Sequence, residues 1–285
     1  MKYKYQPKTK KKLKEIIEKE IEKQGNNADL NMIDTSRITD MSELFEKLDF
    51  NGDISQWNVS NVTDMSRMFY KSSFNGDISQ WNVSNVKNMS CMFQNSKFDG
   101  DISKWDVSNV EDMTSMFRGS RFNRDISKWN VSSVTSMWGM FGGSKFDGDI
   151  SKWDVSNVTD MAYMFEHSKF SGDISDWDFS SVTYAVRMLY GSNIPDVVKA
   201  TVMLKLSKNI ECELDNIVDG YSGKDNIIEF ILDKFDSNAV CHIFKMENIP
   251  YKKVMHLIPK LLKFDCLYNM YSALYGEMIN DMLDI

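Results

Sequence analysis

The sequence predicts an α+β repeat protein: a solenoid of about six to seven 24-residue turns, with an N-terminal helical cap and a C-terminal helical domain. Three observations lead there. Trp57, Trp81, Trp105, Trp129, Trp153 and Trp177 recur every 24 residues. Phe50, Phe74, Phe98, Phe122, Phe146 and Phe170 keep that register and open each unit, and Asp53, Asp77, Asp101, Asp125, Asp149 and Asp173 follow three residues later. Near Ser192 the repeat stops, and from Pro195 onward the apolar residues take helical spacing. The chain therefore divides into a capping helix at 1–30, repeats at 31–192 and an all-helical domain at 193–285.

Within a unit, the apolar positions (Phe, Ile, Trp, Val, Val, Met, Met, Phe) are separated by one, two or three polar residues, which matches neither a long helix nor a long strand. Only stacking on neighbouring units can bury all of them, with like side chains forming columns. Asp-Ile-Ser-x-Trp and Val-Thr-Asp-Met read as short strands, and Met-Ser-x-Met-Phe as about one helical turn. The Asn/Asp-Gly step beside each Phe reads as a tight corner where glycine tolerates a positive φ; Arg124 stands in that place in the unit opened by Phe122, so either the turn is distorted there or the glycine needs no unusual dihedral. Ile33-Asp34-Thr35-Ser36 with Met41, Leu44 and Phe45 form a weakened entry unit. The last unit decays likewise, with Ala185 and Leu189 replacing Met and Phe.

The flanks are helical in pattern. Leu13, Ile16, Ile17 and Ile21 form a stripe over 8–24 that Gly25 ends, and the stripe is expected to cover the open end of the first turn. The lysines Lys10, Lys11, Lys12 and Lys14 read as a solvated helix face, with contact to an acidic partner as the alternative. Five apolar stripes between Val197 and Leu283 account for the C-terminal helices.

Charge narrows the function. Residues 1–24 are basic, but residues 25–192 carry 15 lysines and arginines against 23 aspartates and glutamates within a net charge of −7. A long acidic face excludes general nucleic-acid binding. No stretch of 18 apolar residues and no secretory leader pattern is present, so no membrane insertion and a cytoplasmic location are expected, with the cell surface as the alternative. Cys91, Cys212, Cys241 and Cys266 show no metal-ligand spacing and read as buried thiols. His167, His242 and His256 are isolated, and no nucleophile motif or phosphate-cradling loop accompanies them. The chain is therefore expected to be no enzyme and to need no cofactor or metal. The stacked aspartates are explained by hydrogen bonds to their own turns, with calcium as the alternative.

The motif Phe-Asn-Gly-Asp-Ile-Ser-x-Trp-Asn/Asp-Val-Ser-Asn-Val-Thr-Asp-Met-Ser-x-Met-Phe resembles the BspA-type, leucine-rich-repeat-like repeats of bacterial surface proteins over roughly residues 33–192. The resemblance implies a right-handed solenoid used for binding and no catalytic residues. Function is then expected where units differ, because stacked side chains cannot vary without loss of the core. Trp138 breaks a rule of small residues between the two methionines. Arg118, Arg121 and Arg124 form a basic island, and Tyr163, Tyr184 and Arg187 extend it. Trp, Tyr and Arg dominate interface energetics. These seven residues are the candidate binding site of a protein-binding scaffold, which includes an inhibitor or immunity-type partner. The alternatives are an adhesin-like surface protein and an acidic nucleic-acid mimic.

Overall fold

The computed structural model describes residues 3–206 together with 231, 233, 234 and 240. Two helices, α1 (Lys10–Gln24) and α2 (Asp196–Leu206), flank seven coils of 24 residues that run consecutively over 26–193. Regular structure within the coils is limited to isolated parallel bridges, which step through Asp40, Asp64, Asn88, Asp112, Ser136, Asp160 and Tyr184, with one more joining Asp29 to Asp53 and one joining Tyr5 to Ile33. The α+β, leucine-rich-repeat-like solenoid with a helical domain is therefore incorrect: the repeats contain neither helix nor sheet. Beyond Leu206, the region assigned to that helical domain falls almost entirely outside the described residues.

The hydrogen bonds explain why strands and helical turns do not form. In the coil spanning 50–73, the amides of Met65, Arg67, Phe69 and Lys71 donate to the carbonyls of Asn88, Ser90, Met92 and Gln94 in the next coil, at 2.8–3.0 Å. The peptides between them close turns inside the coil, Met68 to Met65, Tyr70 to Arg67 and Ser72 to Phe69. Alternate peptide groups thus bond along the stack and within the coil. Backbone polarity is satisfied without a strand.

This alternation needs a left-handed residue at two places per coil, as in a turn whose third residue has positive φ. Among the described residues, every positive-φ residue apart from Gly25 occupies one of these two places. The first series is Glu43, Arg67, Cys91, Ser115, Gly139, Tyr163 and Arg187; the second is Lys47, Lys71, Asn95, Gly119, Gly143, His167 and Gly191. The corner glycines beside each Phe are absent from this set, which corrects the expected reason for them. A Cβ on Gly76 would lie 2.8 Å from the Phe74 ring, and one on Gly52 would lie 2.0 Å from the Ala28 carbonyl oxygen. They are small because the ring folds over them.

Inside, like stacks on like. Phe93, Phe117 and Phe141 follow one another at 5.8 and 5.9 Å, and Phe74, Phe98 and Phe122 at 6.3 Å. Each tryptophan of the 24-residue series donates its indole N–H to a carbonyl of the preceding coil, Trp105 to Ile78 and Trp129 to Ile102, both at 3.1 Å. Outside, each aspartate of the Asp53 series accepts the amide two residues on, from Ser55 at 2.9 Å through Ser175 at 2.8 Å. That bond is the main cause holding Asp53, Asp101, Asp125 and Asp149 below the usual carboxylate range. A second ladder joins coils directly: Asn51 accepts from Asn75, Asn75 from Asp99 and Asp99 from Asn123.

Thr9 caps α1 by accepting the Lys12 amide, and Gly25, at φ 82°, ends it. Leu13, Ile16 and Ile17 are buried in the core that the coils share, while Ile21 is only partly buried. The fourth buried position of α1 is Glu20, which accepts from Tyr5 at 2.5 Å and Lys4 at 2.9 Å and also from Gln24. At the other end α2 buries residues on most of its surface, and Lys205 donates to the Trp177 carbonyl at 3.4 Å.

Ser115 combines φ 53°, full burial and a hydroxyl without a partner. Relief of both penalties, offset by the entropy of a glycine, sets the expected gain for Ser115→Gly at about 1 kcal/mol. Chemical denaturation of the two proteins measures it directly, and a loss of stability would contradict the origin assigned to the strain.

Candidate functional site

The two left-handed series and the residues beside them form one face of the stack. Side chains there do not enter the columns, so the units are free to differ, and they do: Glu46, Tyr70, Gln94, Arg118, Gly142, Glu166 and Tyr190 share a single repeat position. Ten of the fourteen left-handed places hold a residue other than glycine, at about 1 kcal/mol each. Bulky Tyr163, at φ 60°, is one of them.

Trp138 is half-buried and lies outside the core columns. Its ring meets Tyr163 of the next coil at 5.3 Å and 56°, and the Arg118 guanidinium lies 5.4 Å from its ring centroid. From there Arg118 spans two coils to Glu166, at 2.9 Å. Gly139 and Gly142 make the crossing possible, since a Cβ on either would come within 2.9 Å of Arg118 Nη1. Glu166, nearly buried, also pairs with Arg187 at 3.0 Å, and the Arg187 guanidinium covers the Tyr190 ring at 4.2 Å. A shallow cleft of about 210 Å³ opens beside this network between Asn95, Gly119 and Gly143 on one side and Glu166 and His167 on the other.

Four of the seven predicted site residues therefore meet: Arg118, Trp138, Tyr163 and Arg187. The other three do not join them. Arg124 turns to Asp99, pairing with its carboxylate at 2.8 Å and its carbonyl at 2.9 Å. Arg121 is exposed in a column with Lys97, Lys145 and Lys169, and Tyr184 is half exposed in the column of the bridge residues. The basic island is thus divided, because residues three apart on a coil of turns need not share a face. Glu166, Tyr190 and His167 belong to the network, and reasoning from the sequence misses them. The available signal is their departure from the 24-residue consensus.

At the other end of the same face, Arg67 pairs with Glu46 at 2.9 Å and covers Tyr70 at 4.3 Å, and Lys47 and Lys71 also approach that ring. The Arg67 guanidinium beside Glu46 is the main cause holding that carboxyl down at about 2. Cys91, on the first left-handed series, is half-buried rather than buried, and desolvation pushes its thiol up. The other three cysteines, His242 and His256 lie outside the described residues. Among the described residues no group of three or more His, Cys, Asp or Glu is placed to hold a metal ion, and no helix is long and apolar enough to cross a membrane.

Residues 11–121 and 97–195 each match the family model described as a Mycoplasma protein of unknown function, DUF285. The chain belongs to the DUF285 family. The two DUF285 matches overlap and together span nearly all of α1 and all seven coils. No curated protein and no solved structure gives a significant match.

Proposed function

We propose that this DUF285 protein is a non-enzymatic protein-binding scaffold, and that the face bearing the left-handed residues is its binding surface. One observation carries the reading: strained, non-glycine, variable side chains are confined to this face, although glycine would fit each place at lower conformational cost. The aromatic and arginine content around Trp138 and Tyr163 supports it. A kinship with BspA-type repeats is part of the same proposal and rests on the Phe-Asn-Gly-Asp-Ile-Ser-x-Trp motif, without the leucine-rich-repeat architecture.

Two substitutions test it against partners captured from a lysate. Trp138→Ser restores the residue found at Ser90, and Tyr163→Gly relieves a left-handed residue, so both variants should keep the melting temperature. Each is expected to weaken capture by about 2 kcal/mol or more, roughly thirtyfold in affinity. Undiminished capture by a double variant of normal stability would move the site off this face.

A further inference from the structure

The variable face carries the same constellation twice. Glu46, Arg67 and Tyr70 recur as Glu166, Arg187 and Tyr190, each residue 120 positions, or five coils, from its counterpart. In both copies a glutamate pairs with the arginine of the next coil, and that arginine covers the tyrosine of its own coil. At about 4.8 Å per coil the copies stand ~24 Å apart, the reach of about seven residues of extended chain.

The face also differs in sign from the rest of the stack. Its basic side chains are Lys47, Arg67, Lys71, Arg118 and Arg187; its acidic ones are Glu43, Glu46 and Glu166. Each of the three glutamates already lies in an ion pair within the face. Cationic capacity is left over: Lys71 is exposed, and the half-buried Arg118 guanidinium lines the glycine-floored cleft with Glu166 as its carboxylate partner, a glutamate it shares with Arg187. Over the rest of residues 25–192 taken together acidic side chains outnumber basic ones by 20 to 10, the column of Lys97, Arg121, Lys145 and Lys169 being a local exception.

From this we infer that the partner is an acidic, extended polypeptide segment. It lies along the stack from Tyr70 to Tyr190, with its carboxylates on Lys71, Arg118 and the arginines of the two constellations. The inference rests on the protein-binding reading above and adds the chemistry of the occupant. Fixed glutamate partners hold the arginines in place before binding, which lowers the ordering cost of a polar contact. The acidic remainder of the stack repels a segment that misses the face.

The test is fluorescence anisotropy on the full chain, using a labelled peptide of about ten residues alternating glutamate and serine, long enough for the ~24 Å span. A lysine–serine peptide and a single-stranded oligothymidylate serve as comparators. The glutamate peptide is expected to bind at least about tenfold more tightly than either comparator at low salt, and to lose about tenfold in affinity as screening rises. Lys71→Gln, which removes an exposed side chain, should weaken it about threefold with no change in melting temperature, and Arg118→Gln should weaken it by at least as much. Equal binding of the lysine peptide or the oligonucleotide, or indifference to both substitutions, overturns the inference. If Trp138→Ser abolishes capture while the glutamate peptide does not bind, the scaffold reading stands and the acidic occupant alone falls. If instead the peptide binds as expected while capture is unaffected by Trp138→Ser and Tyr163→Gly, the acidic occupant stands and the Trp138 neighbourhood drops out of the binding surface.

Discussion

Replacing Phe117 by alanine is expected to destabilise the protein by about 3–5 kcal/mol, the range for a fully buried phenylalanine. Its ring lies between Phe93 and Phe141, at 5.8 and 5.9 Å, and 4.3 Å from Phe122. The neighbours cannot close over the void. Their backbones are held at fixed spacing by bonds such as Phe117 N–H to the Met140 carbonyl at 3.0 Å, repeated in each of the first six coils. For a chain of this length the melting temperature should fall by roughly 10 °C. A loss below about 1 kcal/mol would mean that coils shift to fill the gap and that the columns are not the main source of cohesion.

Glu20→Ala is expected to destabilise by about 2–3 kcal/mol, less than a fully enclosed ion pair because Lys4 remains half exposed and can rehydrate. The carboxylate accepts from Tyr5, Lys4 and Gln24, and the Tyr5 hydroxyl is the main cause drawing it down to about 2. The pH dependence follows in sign. A carboxyl whose folded value lies below its unfolded one binds fewer protons when folded, so its contribution is complete above about 4.5 and is lost as pH falls toward 2. Denaturation at neutral pH and near pH 3 should show the wild-type protein losing much of its advantage over Glu20→Ala. An unchanged difference between the two would remove Glu20 from the acid response and leave Glu46, also held near 2, as the next candidate.

The 24-residue period, the members of each column and the end of the repeats near Ser192 can be read from the sequence, because burial in a repeat is periodic and leaves large apolar residues at fixed intervals. The buried face of α1 is legible only in part: Leu13, Ile16 and Ile17 follow helical spacing, but Glu20 is buried by partners at Lys4 and Tyr5 that no local pattern reveals. Trp138 is visible as an exception to a rule. Its company is not, since Arg118 reaches Glu166 across 48 residues over glycines whose role is to leave room.

Which side chains stack follows from the 24-residue period alone, since an aromatic or methionine at each multiple of 24 residues can be buried only on its own counterpart. What the tertiary structure alone decided is how the backbone between them is satisfied. Short apolar runs fit strands, helical turns or simple turns equally well by pattern, and the choice rests on whether each N–H finds its acceptor inside the coil or in the next one. Here alternate peptides do each, which requires two left-handed residues per coil. Those residues define the variable face, and because non-glycine side chains occupy most of them against their own preference, no turn signal marks it and only departures from the 24-residue consensus point to it.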